Sequence, residues 1–217
     1  RIFSITNIKM KNLEKRTALQ DKLRRQVLKK GINLISPETT FLSKDTSYGK
    51  NITIEPFVVI GEKVNIGNNV IIKSFSYIEK TTIKNNISIG PYSRLRPGTK
   101  IKSGSKVGNF VEIKNSVMEP YSKVNHLAYI GDTLVGEKSN IGAGTITCNF
   151  DGVNKNKTKI GKKVFIGSNS SLVAPLTIGN NSTIGAGSVI TKNVLSNSLS
   201  LTRSNQIEKK NYKRKKK

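Results

Sequence analysis

Tryptophan is absent from this 217-residue chain, and cysteine and histidine occur once each, as Cys148 and His126. Only 35% of the residues are apolar. That is a thin supply for a conventional globular core, but it suffices for a repeat protein with a narrow, regular one. A single thiol excludes an intramolecular disulfide framework and fits a reducing cytoplasm. No run of about 18 apolar residues exists, which argues against a transmembrane helix. The opening stretch "RIFSITNIKMKNLEKR" is charged and lacks the apolar region of a signal peptide. Acidic residues are scarce too: 13 against 38 basic ones, a formal net charge of +25. Such a charge suits a polyanionic partner. Yet 30 Lys, 26 Ile and 23 Asn are enriched together, as in a chain encoded by A- and T-rich DNA. The lysines are scattered, and RNA-type aromatic motifs are missing. The expectation is therefore no membrane and no specific nucleic acid as partner, with "KKNYKRKKK" a solvated tail.

What the chain does have is period. Residues 7–30 read as a helix, with Leu19, Leu23 and Val27 at i, i+4 and i+8 and Leu13 and Leu28 nearby. Gly31 stops it, and Pro37 breaks the pattern. From Ile54 the spacing becomes six: Ile54, Ile60, Ile66, Ile72, Ile78, then after a five-residue step Ile83, Ile89, Leu95, Ile101, Val107, Ile113. Shorter series continue through Met118, Val124, Ile130, Val135 and Ile141. After the interruption "CNFDGVNKNKT" the series resumes from Ile160 to Ile190. Six residues fit a short strand plus a turn, with one aliphatic side chain per hexad pointing inward. Small residues two places earlier, such as Thr158, Ser170, Ser182 and Ser188, suit a narrow interior. Three hexads close one coil, so Ile54 to Ile190 makes roughly seven coils. The pattern resembles the left-handed parallel β-helices of hexapeptide-repeat proteins. The expected division is a helical linker over 1–36, an all-β helix over 37–195 and an extension with a basic tail over 196–217.

Such a fold leaves open an acyltransferase, a metal-dependent hydratase and a structural spike. One histidine argues against a zinc site of several imidazoles, and Asp132, Glu137 and Asp151 have no metal-ligand spacing. Four islands depart from the plain repeat: "GPYSRLRPG" (90–98), "VGNFVEIKN" (107–115), "NHLAYIGD" (125–132) and "NIGAGTITCNFDGVNKNKT" (140–158). Arg96, Lys114 and Tyr129 succeed one another at about one coil each, so they should stack near one edge with His126. An edge of Arg, Lys, Tyr and His makes a place for a small anion beside a base.

These islands resemble the acetyltransferase domain of the bacterial bifunctional glucosamine-1-phosphate N-acetyltransferase/N-acetylglucosamine-1-phosphate uridylyltransferase family, over residues 7–203. The resemblance implies acetyl transfer from acetyl-CoA to the amine of glucosamine 1-phosphate. That step belongs to the cytoplasmic synthesis of UDP-N-acetylglucosamine for peptidoglycan and lipopolysaccharide, in a homotrimer. It makes His126 the general base and Glu112 the residue that orients it. Arg96, Lys114, Tyr129 and Lys155 become sugar-phosphate contacts, and Asn140 a sugar contact. Ala143 would offer a backbone N–H to the thioester oxygen. Asn149, Phe150, Ser168, Ala186 and Arg203 would bind acetyl-CoA, with Phe150 where the family carries Tyr. Cys148 gets no catalytic role, being read as a small core residue. The chain starts at Arg1 rather than Met, so a uridylyltransferase half is expected to precede it. Asn7 would serve that half's site, and Mg2+ would belong only there.

Overall fold

The computed structural model describes residues 2–213, with side chains described from residue 10 onward. Among these, helix α1 spans Ile2–Lys29 and leads into 24 strands, mostly very short and all paired in parallel. The strands stack in three columns, the three faces of a prism. The first face carries Ile54, Ile72, Ile89, Val107, Val124, Ile141, Ile166 and Ile184 in register. The second carries Ile60, Ile78, Leu95, Ile113 and Ile130. The third carries Ile66, Ile83, Ile101, Met118, Val135, Ile160 and Ile178. The chain is a parallel β-helix, as its hexads imply.

Every apolar residue of the hexad series from Ile54 to Ile190 is at most 3% exposed. Burying one such side chain contributes about 1.5–3 kcal/mol, so the interior is one continuous apolar ladder. The small polar residues before them are buried too, and several of their hydroxyls return to the backbone. Ser170 Oγ donates to Gly167 O at 2.7 Å and Ser122 Oγ to Glu119 O at 2.7 Å. The interior thus tolerates most of its polar groups because a backbone carbonyl accepts from the hydroxyl, while the buried hydroxyl of Thr158 has no hydrogen-bond partner. The coil that separates Thr133 from its strand partner Thr158 is longer than the others, and there the chain loops out.

Helix α1 differs from its expected packing. Leu23 and Val27 join the core beside Ile32, Leu34 and Leu42, but Leu13, Leu19 and Leu28 are exposed. Among the described side chains of the helix, it is those of the C-terminal half that pack against the end of the prism. Gln20 is bonded there to both backbone groups of Leu42, and Arg24 donates to Thr40 O at 3.0 Å. Covering that end removes a strand edge that would otherwise invite pairing. Strand pairing runs from Asn33 to Ser200, wider at both ends than the expected 37–195.

Candidate functional site

Two nine-residue strands, Lys106–Lys114 and Lys123–Gly131, run through one corner of the prism and join its first and second faces. The turn comes where Phe110 and Leu127 take positive φ, 54° and 48°. His126 stands at this corner, exposed, beside a cleft of about 480 Å³ lined by Lys73, Pro91, Lys106, Asn109 and Asn125. One coil on from His126 comes Ala143, because Val124 pairs with Ile141 and Gly144 N–H donates to Leu127 O. Ser168 follows, with Asn169 N–H donating to Ala143 O at 2.7 Å, and then Ala186, with Gly187 N–H donating to Ser168 O at 2.8 Å. Arg203 Nη1 donates to Ala186 O at 3.1 Å. His126, Ala143, Ser168, Ala186 and Arg203 therefore form one line along one edge. At about 4.8 Å per coil, a narrow track of small residues runs roughly 14 Å from the imidazole to the Ala186 turn, with a guanidinium at its far end.

On the second face, Arg96 and Lys114 are neighbours one coil apart, Arg96 N–H donating to Ile113 O. Arg96 Nη1 lies 2.7 Å from Glu112 Oε1. The loop after Cys148 folds back on itself, with Phe150 and Lys155 bridged antiparallel and Asn156 N–H on Asn149 O at 2.7 Å. Asp151 holds its tip by accepting from Val153 and Asn154 N–H and from Asn156 Nδ2, and these bonds lower its pKa. This fold-back lays Lys155 against Lys114. The Lys114 pKa falls below the ordinary lysine value, first through that contact with Lys155, then through lost hydration and the repulsion of Lys155 and Arg96, while Asp132 opposes the shift. Three cations crowded at this place make a receptor for a compact anion.

Tyr129 belongs to this group by a different route from the expected one. Its strand partner is Glu112, while Gly131 pairs with Lys114. The Tyr129 ring folds over Gly131, where a Cβ would lie 2.5 Å from Tyr129 Oη and 2.7 Å from Asn149 Nδ2. Gly131→Ala should therefore displace both side chains. We expect it to cost about 1–3 kcal/mol in urea denaturation and to weaken anion binding. A neutral result in both would mean that the ring has another resting place. Asn149 is buried and donates to Asp132 Oδ2, which lies on the carboxylate that also accepts from Asn115. Asp132, in an island but with no site role expected from the sequence, is the hub joining Asn149 to the cationic face.

Other expected members fall elsewhere. Glu112 is engaged by Arg96 and makes no hydrogen bond to His126; the strand partner of His126 is Asn109, whose Oδ1 lies 2.7 Å from Nδ1. Asn140 projects from the first face in line with Lys106 and Lys123, so this chain alone does not gather it with Arg96, Lys114 and Tyr129. Phe150 is exposed on the loop. Cys148 is half-buried and pairs with Val173, while Thr147 takes the inward position expected of the cysteine. There Thr147 Oγ1 accepts from Gly131 N–H at 2.7 Å. The side chain of Asn7 lies outside the described residues. Among the described residues no group of three His, Cys, Asp or Glu could hold a metal ion, and no helix is long and apolar enough to cross a membrane.

Comparison with known proteins places this geometry. Residues 157–192 match the model of the bacterial transferase hexapeptide (six repeats). The chain is 55% identical over 190 residues to the bifunctional protein GlmU of Zymomonas mobilis, covering 88% of this chain and 42% of that protein. It is 52% identical over 203 residues to the GlmU of a Bradyrhizobium species, covering 94% and 45%. It is 47% identical over 194 residues to that of Paramagnetospirillum magneticum, covering 89% and 43%. The chain thus spans less than half the length of the curated relatives it matches. An Arabidopsis UDP-N-acetylglucosamine acyltransferase shares its fold with a TM-score of 0.62 at 13% identity, covering 77% of this chain and 68% of that one. This chain is a hexapeptide-repeat protein, homologous over nearly its whole length to a part of the bifunctional GlmU proteins.

Proposed function

We propose that this chain transfers the acetyl group of acetyl-CoA to the amine of glucosamine 1-phosphate, giving N-acetylglucosamine 1-phosphate. One observation carries the reading. His126 heads the small-residue track that runs from Ala143 to Arg203, and the strand on which it stands continues across the second face to Gly131, opposite Lys114 of the cationic patch of Arg96, Lys114 and Lys155. The patch fits a sugar phosphate. The track fits an extended acyl thioester with phosphates at its far end, because bulkier side chains would fill it and Arg203 supplies the charge there. Ala143 N–H donates to no acceptor among the described residues and in this reading would donate to the thioester oxygen.

In this reading Arg96, Lys114 and Lys155 neutralise the phosphate and set the sugar's orientation. His126 takes the proton that the amine loses as its nitrogen bonds to the acetyl carbon; the carbon–sulfur bond breaks, and the proton passes on to the leaving thiolate. Direct attack needs no acyl-enzyme, which leaves Cys148 without a part. Asn140 lies on a different face from the cationic patch, so a site that includes both would draw on two copies side by side. We place the chain in a cytoplasmic homotrimer on that ground and on the family's. A sedimentation mass of three chains is the check.

The test is thiol release from acetyl-CoA with a panel of acceptors: glucosamine 1-phosphate, glucosamine, another amino-sugar phosphate and serine. Release should require the 1-phosphate. Equal release with serine would point to another hexapeptide acyltransferase. No release, together with no acetyl-CoA binding in calorimetry, would point to a structural β-helix.

A further inference from the structure

The only imidazole in the chain is held by an amide rather than a carboxylate. His126 Nδ1 and Asn109 Oδ1 are 2.7 Å apart on directly paired residues, while Glu112 is committed to Arg96. We propose that Asn109 is a positioning residue for His126: its Oδ1 accepts Nδ1–H and leaves the Nε2 lone pair as the base. The catalytic consequence rests on the acetyl-transfer reading; the geometry does not.

A neutral imidazole carries one N–H, and the partner of one ring nitrogen decides which nitrogen that is. Asn109 is well fixed for this role from both sides. Gly108 allows the strands to approach, since a Cβ there would lie 1.8 Å from Asn125 O. Phe110 ends a stacked column of Phe57, Phe75 and Tyr92, with ring centroids 5.0, 4.8 and 5.1 Å apart. That column stiffens the corner from which Asn109 projects. An amide also orients the ring through a neutral acceptor, without the full negative charge that a carboxylate would place beside it. The charged groups around the cleft are Lys73 and Lys106, with Lys123 on the strand of His126 itself and no acid in the lining. Asn109 thus fixes the tautomer and leaves Nε2 as the ring nitrogen without a proton.

A lone histidine makes the test direct, because every imidazole ¹⁵N signal belongs to His126. At a pH where the ring is neutral, the wild-type spectrum should show the Nδ1–H tautomer. Asn109→Ala should relax toward Nε2–H and lower kcat about 10- to 100-fold, less than the full ~10²–10⁴-fold that a general base supplies, with both KM values changed less than about twofold. Asn109→Asp keeps an acceptor, so it should keep the tautomer and most of kcat. Its charge stabilises imidazolium, so the acidic limb of its pH–rate profile should move to higher pH. A wild-type Nε2–H tautomer, or one unchanged in Asn109→Ala, overturns the proposal. The spectra are of the protein alone, so a chain without acetyltransferase activity would end the functional reading and still let the tautomer decide this one.

Discussion

His126→Ala is expected to reduce the proposed acetyl transfer by about 10²–10⁴-fold, the contribution of a positioned general base, while the chain stays folded. The two halves of that expectation have separate origins. The catalytic half follows from position: no second imidazole exists, and the other polar side chains around the cleft are those of Lys73, Ser88, Lys106, Asn109 and Asn125, which leaves His126 as the candidate general base there. The structural half follows from exposure. His126 faces solvent, and its neighbours Val124 and Ala128 fill the interior on either side of the corner. Removing an exposed ring leaves no cavity, and surface changes of this kind usually stay within about 0.5 kcal/mol. Thiol release and thermal unfolding on the same preparation check both. A variant that remains active would remove His126 from the mechanism. An unfolded one would make it a structural residue of the corner.

The fold was legible in the sequence because one inward aliphatic residue per hexad is a geometric requirement that few substitutions satisfy. The whole series from Ile54 to Ile190 proved buried. The site was legible wherever a full coil separated its members. Arg96 and Lys114, one full coil apart, are true neighbours. Tyr129 was harder to place. The coil that begins at Lys114 closes at Gly131, which aligns Tyr129 with Glu112 instead; only its reach over Gly131 returns it to the patch. The same register exposes the choice between Glu112 and Asn109. Asn109 precedes His126 by a whole coil, whereas Glu112 falls short of one. Asn140 could not be placed, because spacing along the chain does not say which side of a corner a residue faces. Leu13, Leu19 and Leu28 show the same limit for the helix. A period of 3.6 marks an apolar stripe, but not where the helix leaves the surface that would bury it.

Lys114→Met is the second large effect, and it should act in opposite directions on stability and on binding. The crowding of Lys155 and Arg96 holds the Lys114 pKa below its ordinary value in the folded chain. Between that lowered value and the unfolded value of about 10.4, the unfolded state binds more protons, so stability rises with pH across this window. Below the window the charged ammonium is a liability to the free fold. Lys114→Met removes it, so the ligand-free variant should melt no lower than wild type at pH 7, and the alkaline gain in stability should shrink. A bound phosphate reverses the sign, because the crowded cations then have a counter-charge. Losing one charge-assisted hydrogen bond costs about 1.5–3 kcal/mol, roughly a 10- to 100-fold rise in KM for glucosamine 1-phosphate, and KM for acetyl-CoA should stay near wild type. Melting curves at pH 7 and pH 10, with and without the sugar phosphate, separate the two effects. A lower ligand-free melting point at pH 7 would mean that Lys114 stabilises the fold. An unchanged KM would mean that the phosphate binds elsewhere. The pairing of a slightly strained free state with a strengthened bound one is what a preformed anion site requires, since the repulsion that the empty patch sustains is what the ligand relieves.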